Sequence, residues 1–93
     1  MEFDWDPAKD ATNRKKHGIS FEEITEVFGG PGWDEWIDSD PGDDEVRYMT
    51  VGRLGWKIVS VVYTERGNFI RLISAREANS FERRAFRQSE ATT

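Results

Sequence analysis

Three strand-like runs in the second half of the chain, separated by very short gaps, constrain the fold most strongly. Residues 47–53 alternate polar and apolar side chains, while 56–63 (WKIVSVVY) and 69–75 (FIRLISA) are rich in β-branched and aromatic residues. The gaps at 54–55 and 65–68 are too short for a parallel crossover, which needs about a dozen residues or more. The sequence therefore predicts two consecutive β-hairpins and an antiparallel sheet.

The first half of the chain predicts one short strand followed by two helices. Residues 2–5 alternate in polarity, and Asp6 followed by proline is typical of a helix N-cap. The first helix is predicted at 7–17, because Gly18 can adopt the left-handed conformation that ends helices. A serine–glutamate capping box at 20–23 then begins the second helix.

The remaining segments complete a predicted β-α-α-β-β-β-α order. Residues 34–45 are strongly acidic and are predicted to form a loop, residues 77–88 a last helix, and residues 89–93 a frayed tail. The 93 residues are enough for one domain, since two separate cores need roughly twice that length. We expect a single α+β domain over 1–93, with the helices packed on one face of the antiparallel sheet.

Composition excludes several classes of site. The chain has no cysteine, which excludes disulfides, thiolate metal sites and cysteine nucleophiles, and one histidine, which argues against a histidine-rich metal site. We expect no metal and no other cofactor. The charged N-terminus is unlike a signal peptide, and no run approaches the roughly 20 apolar residues that span a bilayer. The chain is predicted to be cytoplasmic and not to bind a membrane.

Charge is divided unevenly along the chain. Residues 1–46 carry 14 acids and 4 bases, whereas residues 47–93 carry 9 bases and 4 acids, so net charges of −10 and +5 sum to −5. The basic half predicts a surface for phosphate or for an acidic partner. The overall acidity argues against DNA binding by this chain alone.

Five groups of residues, taken in order, resemble one family. They are residues 3–9 (FDWDPAK), Asn13 with 16–23 (KHGISFEE), Arg47 with 52–53 (GR), 70–76 (IRLISAR) and 82–84 (ERR). The ordered set resembles the BrnT toxins of bacterial type II toxin–antitoxin systems, over nearly the whole chain. The resemblance implies a RelE-like fold and a metal-independent ribonuclease that inhibits translation.

The resemblance also implies partners. These are an RNA substrate and a BrnA-type antitoxin, which carries a DNA-binding domain and represses the operon in complex with the toxin. A heterotetramer of two toxins and two antitoxins is implied, so DNA is contacted only through the antitoxin. The alternative is a toxin-like binding module that has lost catalysis and acts mainly through its antitoxin complex.

Metal-free RNA cleavage needs a base for the 2′-OH, a cation for the phosphorane charge and an acid for the leaving 5′-oxygen. Arg71 and Arg76 are the candidates for the cation, because a guanidinium binds phosphate through two parallel hydrogen bonds. If the strand persists to residue 76, strict alternation places the two on opposite faces of the sheet, so they need not point together; alternatively, Arg76 sits at the strand end. Alternatively, Arg71 forms an ion pair with Glu23 or Glu82 or faces solvent, and Arg76 forms a helix or loop salt bridge.

His17 and Lys9 are the candidates for assisting proton transfer. His17 is the only imidazole, and imidazole titrates nearest neutrality; alternatively, it donates to a terminal carbonyl of the first helix. Lys9 lies two turns earlier on the same helix face and is better suited to contacting phosphate, because an ordinary lysine stays protonated. Asn13 lies between them, so the stripe is polar and either functional or simply exposed.

Further charged and aromatic residues are candidates for binding. Three arginines are predicted to contact RNA phosphate, with a solvated surface as the alternative: Arg53, Arg83 and Arg84. Three residues are predicted at the antitoxin interface: Trp33, Trp36 and Arg87. The tryptophans could instead pack onto the core. Members of the resembled family often carry a tyrosine shortly after the "ER" pair, where this chain has Phe86, so a role of that hydroxyl is absent here.

Overall fold

The computed structural model describes residues 2–29, 32–37 and 46–91, with the backbone alone described for Gly29 and 32–37. These residues form a small α+β domain and contain five strands, three α-helices and one 3₁₀ turn. In chain order these are β1 (Glu2–Trp5), α1 (Pro7–His17), α2 (Phe21–Ile24), the 3₁₀ turn (Thr25–Gly29), β2 (Gly32–Ile37), β3 (Arg47–Leu54), β4 (Lys57–Arg66), β5 (Phe69–Glu77) and α3 (Ser80–Ala91). Within these ranges no helix has both the length and the apolar character that crossing a membrane requires.

The five strands form one sheet in the order β1-β5-β4-β3-β2. Both predicted hairpins are confirmed, since β3 pairs antiparallel with β4, and β4 pairs antiparallel with β5. The prediction of an entirely antiparallel sheet is wrong, because β1 runs parallel to β5. A parallel pair is possible there because the rest of the chain supplies the long connection between the two strands.

Strand β2 corrects part of the predicted acidic loop. Residues 34–37 belong to this edge strand, which pairs antiparallel with β3 and contains a register shift between Trp33 and Trp36. Acidic residues in this stretch suggested a loop, but charged side chains and bulges are common on edge strands, where they discourage pairing with another chain. Residues 38–45 of the predicted loop lie outside the described residues.

The helices cover both faces of the sheet, so the prediction of helices on one face is wrong. One buried cluster joins the α1–α2 region to one face of the sheet: Ile19, Phe21, Ile24, Val27, Val59, Val61, Tyr63, Ile70, Leu72 and Ala75. A second cluster joins α3 to the opposite face: Met49, Val51, Ile58, Ala78 and Phe86. Alternate residues of β4 enter the two clusters, which explains why that strand is apolar almost throughout.

The ends of the first two helices follow the sequence signals. Asp6 accepts a 2.9 Å hydrogen bond from the amide of Ala8, and Gly18 ends α1 at φ 70°. Ser20 and Glu23 form the predicted capping box. The last helix begins at Ser80, whereas residue 77 still belongs to β5. It extends to residue 91, so 89–91 are helical and not a frayed tail, and 92–93 lie outside the described residues.

Asn13 joins α1 to the sheet. Its side chain is buried; Nδ2 donates to the carbonyl of Ile19 at 2.9 Å, and Oδ1 accepts from the amide of Ala75 at 3.1 Å. Strand β1 pairs with β5 only as far as Leu72. Asn13 therefore accepts a hydrogen bond from a β5 amide at the outer edge of the sheet, beyond the point where β1 has ended. This bond holds α1 against that edge.

Replacing Asn13 should destabilise the fold because it leaves two buried backbone groups without a partner. We expect Asn13→Ala to lower the free energy of unfolding by about 3 kcal/mol, measured by urea denaturation. Lys16→Ala, an exposed change on the same helix, is the matched control and should shift it by less than about 0.5 kcal/mol. Equal stability of the two variants would contradict this role for Asn13.

Candidate active site

A register shift in β5 brings the two candidate phosphate-binding arginines onto one face of the sheet. Arg71 pairs with Thr64 of β4, whereas Arg76 pairs with Ser60, and the register shifts between them. Thr64 and Ser60 are four residues apart and therefore lie on the same face. The prediction of opposite faces is wrong, because one extra residue in β5 reverses the alternation.

Arg76 is held by a buried carboxylate from α3. Its Nη1 donates to Glu82 Oε1 at 2.8 Å and its Nη2 to Oε2 at 3.0 Å, while Nη1 also reaches the carbonyl of Glu77 at 3.2 Å. The Glu82 side chain is 4% exposed and that of Arg76 is 42% exposed. The predicted alternative, a helix salt bridge, is thus present. These bonds leave Nε and one Nη2 hydrogen of a half-exposed guanidinium available.

Glu82 is bonded from three elements. Besides Arg76, it accepts from the hydroxyl of Ser60 on β4 at 2.7 Å and from the amide of Asn79 at 2.9 Å. Asn79 in turn accepts from the amide of Glu82 at 2.8 Å, so the two residues form a reciprocal cap at the start of α3. Glu82 therefore fixes α3, β4 and Arg76 relative to one another.

The charge of Glu82 is fixed by these bonds. Burial disfavours the carboxylate, but hydrogen bonds from Arg76, Asn79 and Ser60 outweigh that cost and lower the pKa of Glu82 to about 2. The same pair raises the pKa of Arg76. A group that stays ionised at neutral pH, with its oxygens already bonded, is unsuited to exchange protons. Glu82 is a positioning residue for Arg76.

Arg71 is paired with a residue of the neighbouring strand. Its Nη1 donates to Asp4 Oδ2 at 2.6 Å, and the side chains of Arg71 and Asp4 are 25% and 50% exposed. The ion-pair alternative is therefore present, with Asp4 as the partner in place of Glu23 or Glu82. Such a partly exposed pair contributes at most about 1 kcal/mol to stability, so Arg71 can exchange this partner for a phosphate at low cost.

Arg71 and Arg76 are too far apart to bind one phosphate. Their partners on β4 are four residues apart, which is about 13 Å along a strand. Each guanidinium is also drawn toward a different carboxylate, one on β1 and one on α3. The face can therefore contact two separate phosphates of one strand.

The stripe of α1 lies along the outer edge of β5, where Asn13 is bonded to the amide of Ala75. Asn13, its middle member, is buried against Ala75, so it is structural and not an exposed functional residue. His17 lies one helical turn further on and is half-buried, next to a pocket that Gly18 shares with residues 54–57. Lys9, one turn before Asn13, is exposed. Among the described residues, no hydrogen bond or ion pair joins His17 or Lys9 to either arginine.

A second group of cations lies beside α3. Arg53 is bound to Glu90 by Nη2 at 2.7 Å and lies 5.6 Å above the ring of Phe86. A pocket of about 290 Å³ lies between α3 and the turn that joins β3 to β4, and it is lined by Arg53, Trp56, Lys57, Ile58, Glu77, Arg83 and Arg87. Arg84 instead lies on the outer surface of α3. Arg84 lines a second pocket with Arg83 and Arg87 but lies apart from Arg53, and Arg87 joins Arg53 and Arg83 in the first pocket.

The sequence comparison decides the family. Residues 5–82 match the model of the family described as "Ribonuclease toxin, BrnT, of type II toxin-antitoxin system". The chain belongs to the BrnT family. A comparison with curated individual proteins gives no match. As a BrnT protein, the chain is a ribonuclease toxin of a type II toxin–antitoxin system, and this family type implies an antitoxin partner.

The structure also locates the remaining candidate residues of this BrnT toxin. The backbones of Trp33 and Trp36 lie in β2, and their predicted contact with an antitoxin is untested. Phe86 is fully buried in the α3 cluster, so this position is part of the core. In the described ranges, no three histidine, cysteine, aspartate or glutamate side chains come together as a metal site.

Sequence reasoning missed the positioning role of Glu82 and the contribution of Ser60. A signal was present, because Asn79 followed three residues later by Glu82 is a helix-start pattern. The predicted helix began at residue 77, so Asn79 fell inside the helix and its capping pattern with Glu82 was overlooked. Ser60, a serine within a largely apolar run of β4, had no evident partner until α3 was found on that face.

The lowered pKa of Glu82 predicts a pH dependence of stability. The bonds to its carboxylate stabilise the fold fully above the ordinary pKa of about 4.5, and this contribution is lost as pH falls toward about 2. We expect the stability advantage of the wild type over Glu82→Gln to shrink by about 3 kcal/mol across that range, measured by urea denaturation at a series of pH values. Glu77→Gln, which removes an exposed carboxylate, is the control, and an advantage for the wild type that is independent of pH would contradict the assignment.

Proposed function

We propose that this BrnT toxin is a metal-independent endoribonuclease that inhibits translation, and that it binds RNA on the sheet face carrying Arg71 and Arg76. The observation that supports the proposal most strongly is the hydrogen bonding and partial exposure of the Arg76 guanidinium. Glu82 binds one end of this half-exposed guanidinium and leaves Nε–H and one of the two Nη2 hydrogens available. That edge matches the spacing of two phosphate oxygens. We also propose that the α+β domain is RelE-like.

The two arginines have different proposed roles, one in transition-state stabilisation and one in RNA binding. Arg76, held rigidly, stabilises the charge that develops on the phosphorane at the scissile phosphate, because a donor that is already oriented needs no reorganisation during the reaction. Arg71 binds a flanking phosphate after releasing Asp4, and so aligns the RNA along β5. Lys9 on α1 contributes a further phosphate contact at the edge of β5.

His17 is the proposed proton-transfer residue. It is the one imidazole of the chain, and Asn13, one turn earlier on α1, is bonded to the amide of Ala75, the residue before Arg76. In the first step a base takes the proton of the 2′-OH, and in the same displacement the 5′-oxygen leaves and takes up a proton. The products are a 2′,3′-cyclic phosphate and a 5′-hydroxyl, so atoms and charges balance without water or an oxidant.

The proposed partners are an RNA substrate and a BrnA-type antitoxin. The antitoxin neutralises the toxin in a heterotetramer of two toxins and two antitoxins and supplies all contacts to operator DNA, and Trp33, Trp36 and Arg87 are proposed to contact it. The native mass of the co-purified complex tests this stoichiometry. A complex with one copy of each chain would contradict it.

The site is tested by RNA cleavage with purified protein in EDTA, using variants that share one ion pair. We expect Arg71→Ala to lower kcat/KM about tenfold or more, because a phosphate contact is lost. Asp4→Ala removes the same ion pair but keeps the cation, and should retain or increase activity. Equal losses in Arg71→Ala and Asp4→Ala would show that only the ion pair matters.

Arg76 is tested with a conservative substitution. Alanine would leave Glu82 buried without its cation and lower the free energy of unfolding by about 3–5 kcal/mol. Arg76→Lys keeps the charge opposite Glu82 but removes the fork, and it should fold while losing most of kcat. Full cleavage by folded Arg76→Lys would overturn the assignment of Arg76 to the scissile phosphate.

Replacing the proposed proton-transfer residue is a separate test. His17→Gln should lower kcat with little change in KM and should remove one limb of the pH–rate profile.

A catalytically weak binding module is the second candidate. The observation that favours it is that both arginines are engaged by carboxylates, while no described bond joins His17 to either. In that case the folded wild type leaves RNA intact but still binds the antitoxin and supports repression of the operon. Cleavage in EDTA that is lost in Arg76→Lys excludes this candidate.

A further inference from the structure

Trp56 occupies an unusual position at the tip of the β3–β4 hairpin. Leu54 pairs with Lys57, which leaves a two-residue turn of Gly55 and Trp56. Gly55 has φ 62°, a left-handed value that glycine adopts readily and that suits the first central position of a type II′ turn. The turn is therefore short and well defined. It holds a tryptophan that is 82% exposed, although the indole ring is the largest apolar side chain in proteins.

One side of the indole ring is already occupied. The ammonium of Lys57 lies 5.5 Å from the ring centroid, within the range of a cation–π contact. Since the side chain is 82% exposed, this contact leaves most of the ring surface open to solvent. The result is an exposed aromatic surface on a tight turn whose backbone is already ordered, so a planar group can stack on it without ordering a loop.

Cations surround this aromatic surface on the α3 side. Trp56 and Lys57 line the same 290 Å³ pocket as Arg83 and Arg87. The Arg83 guanidinium donates to the carbonyl of Ala78 and retains other donors, and within the described ranges Arg87 has no hydrogen-bond or ion-pair partner. An open aromatic face beside guanidinium groups with free donors is an arrangement that suits binding of single-stranded nucleic acid.

The pocket also continues the proposed cleavage face. Glu77, which lines it, directly follows Arg76 in β5, and its carbonyl accepts from the Arg76 guanidinium. A strand of RNA whose phosphate is bound at Arg76 can therefore place a neighbouring nucleotide at the hairpin. Two of the other cations are less available, because Arg53 is bound to Glu90 and Lys57 lies 3.9 Å from Glu77.

We propose that Trp56, with Arg83 and Arg87, forms a nucleotide-binding subsite for single-stranded RNA. One unpaired base stacks on the open face of the Trp56 ring, and an adjoining phosphate binds Arg83 and, in the toxin free of antitoxin, Arg87. This subsite rests on the proposed ribonuclease function and deepens it, since it restricts the substrate to RNA whose bases next to the cleaved bond are unpaired. An acidic protein segment docked on the same pocket is the competing occupant.

The test measures binding of a short, single-stranded, 2′-O-methyl RNA, which cannot be cleaved because it lacks the 2′-OH nucleophile. Fluorescence anisotropy gives Kd for the wild type, Trp56→Ala and Trp56→Phe. We expect Trp56→Ala to weaken binding about tenfold, and Trp56→Phe to retain most of the affinity because a ring remains. The matched control is Phe81→Ala, which removes an exposed aromatic side chain outside the pocket and should leave Kd unchanged.

A second comparison separates stacking from charge. An oligonucleotide with the same backbone but without bases should bind wild type and Trp56→Ala equally, while Arg87→Ala should reduce the slope of log K against log salt by about one. Unchanged affinity of folded Trp56→Ala for the RNA overturns the subsite. Loss of antitoxin binding in Trp56→Ala, with RNA binding intact, also overturns it and assigns the pocket to the protein partner.

The two proposals fail in distinguishable ways. If the ribonuclease function is wrong, the wild type itself does not cleave RNA in EDTA. If only the subsite is wrong, the wild type cleaves normally and Trp56→Ala has the same KM for single-stranded RNA.

Discussion

The buried carboxylate of Glu82 is the interaction on which the second face of the sheet depends. It ties the first turn of α3 to Ser60 of β4 and to Arg76 of β5, through bonds of 2.7 to 3.0 Å. Without these partners a charge in that position would be expensive to bury. The same bonds that fix the helix therefore also fix a guanidinium at the border of the core.

This arrangement gives the two arginines of β5 different physical characters. Arg76 is rigid, because its partner is buried and bonded from three elements, whereas the Arg71–Asp4 pair is partly exposed and easily exchanged. A rigid donor suits charge stabilisation in a transition state, and an exchangeable one suits binding of a flexible strand. An acidic toxin with net charge −5 can in this way present a local cationic surface.

Much of the fold followed from local signals in the sequence. The two hairpins, the strand at 2–5 and the caps at Asp6 and Gly18 are governed by turn chemistry and backbone preference within a few residues. The side of the sheet on which α3 packs was not predictable in that way, because it depends on which face of β4 each helix buries. The acidic edge strand β2 was also missed, since its pairing with β3 is a tertiary contact.

The candidate site was predictable in its residue types but not in its geometry. Arg71 and Arg76 stood out as cations in a largely apolar run, yet their common face results from one extra residue in β5 that no local pattern marks. The role of Asn13 changed for a similar reason. Its place in a polar helical stripe suggested a functional surface, but the end of β1 leaves an amide of β5 that Asn13 satisfies.

The most direct test of this account is a nuclear magnetic resonance titration of ¹⁵N-labelled wild-type protein with non-cleavable single-stranded RNA, following the arginine Nε–Hε signals. The account predicts that the signal of Arg76 shifts strongly, because Nε lies on the edge left free by Glu82, and that the signal of Arg71 shifts as Asp4 is replaced. Binding that leaves both signals unchanged, while signals elsewhere on the molecule shift, would contradict the claim that RNA phosphate is held on this face of the sheet.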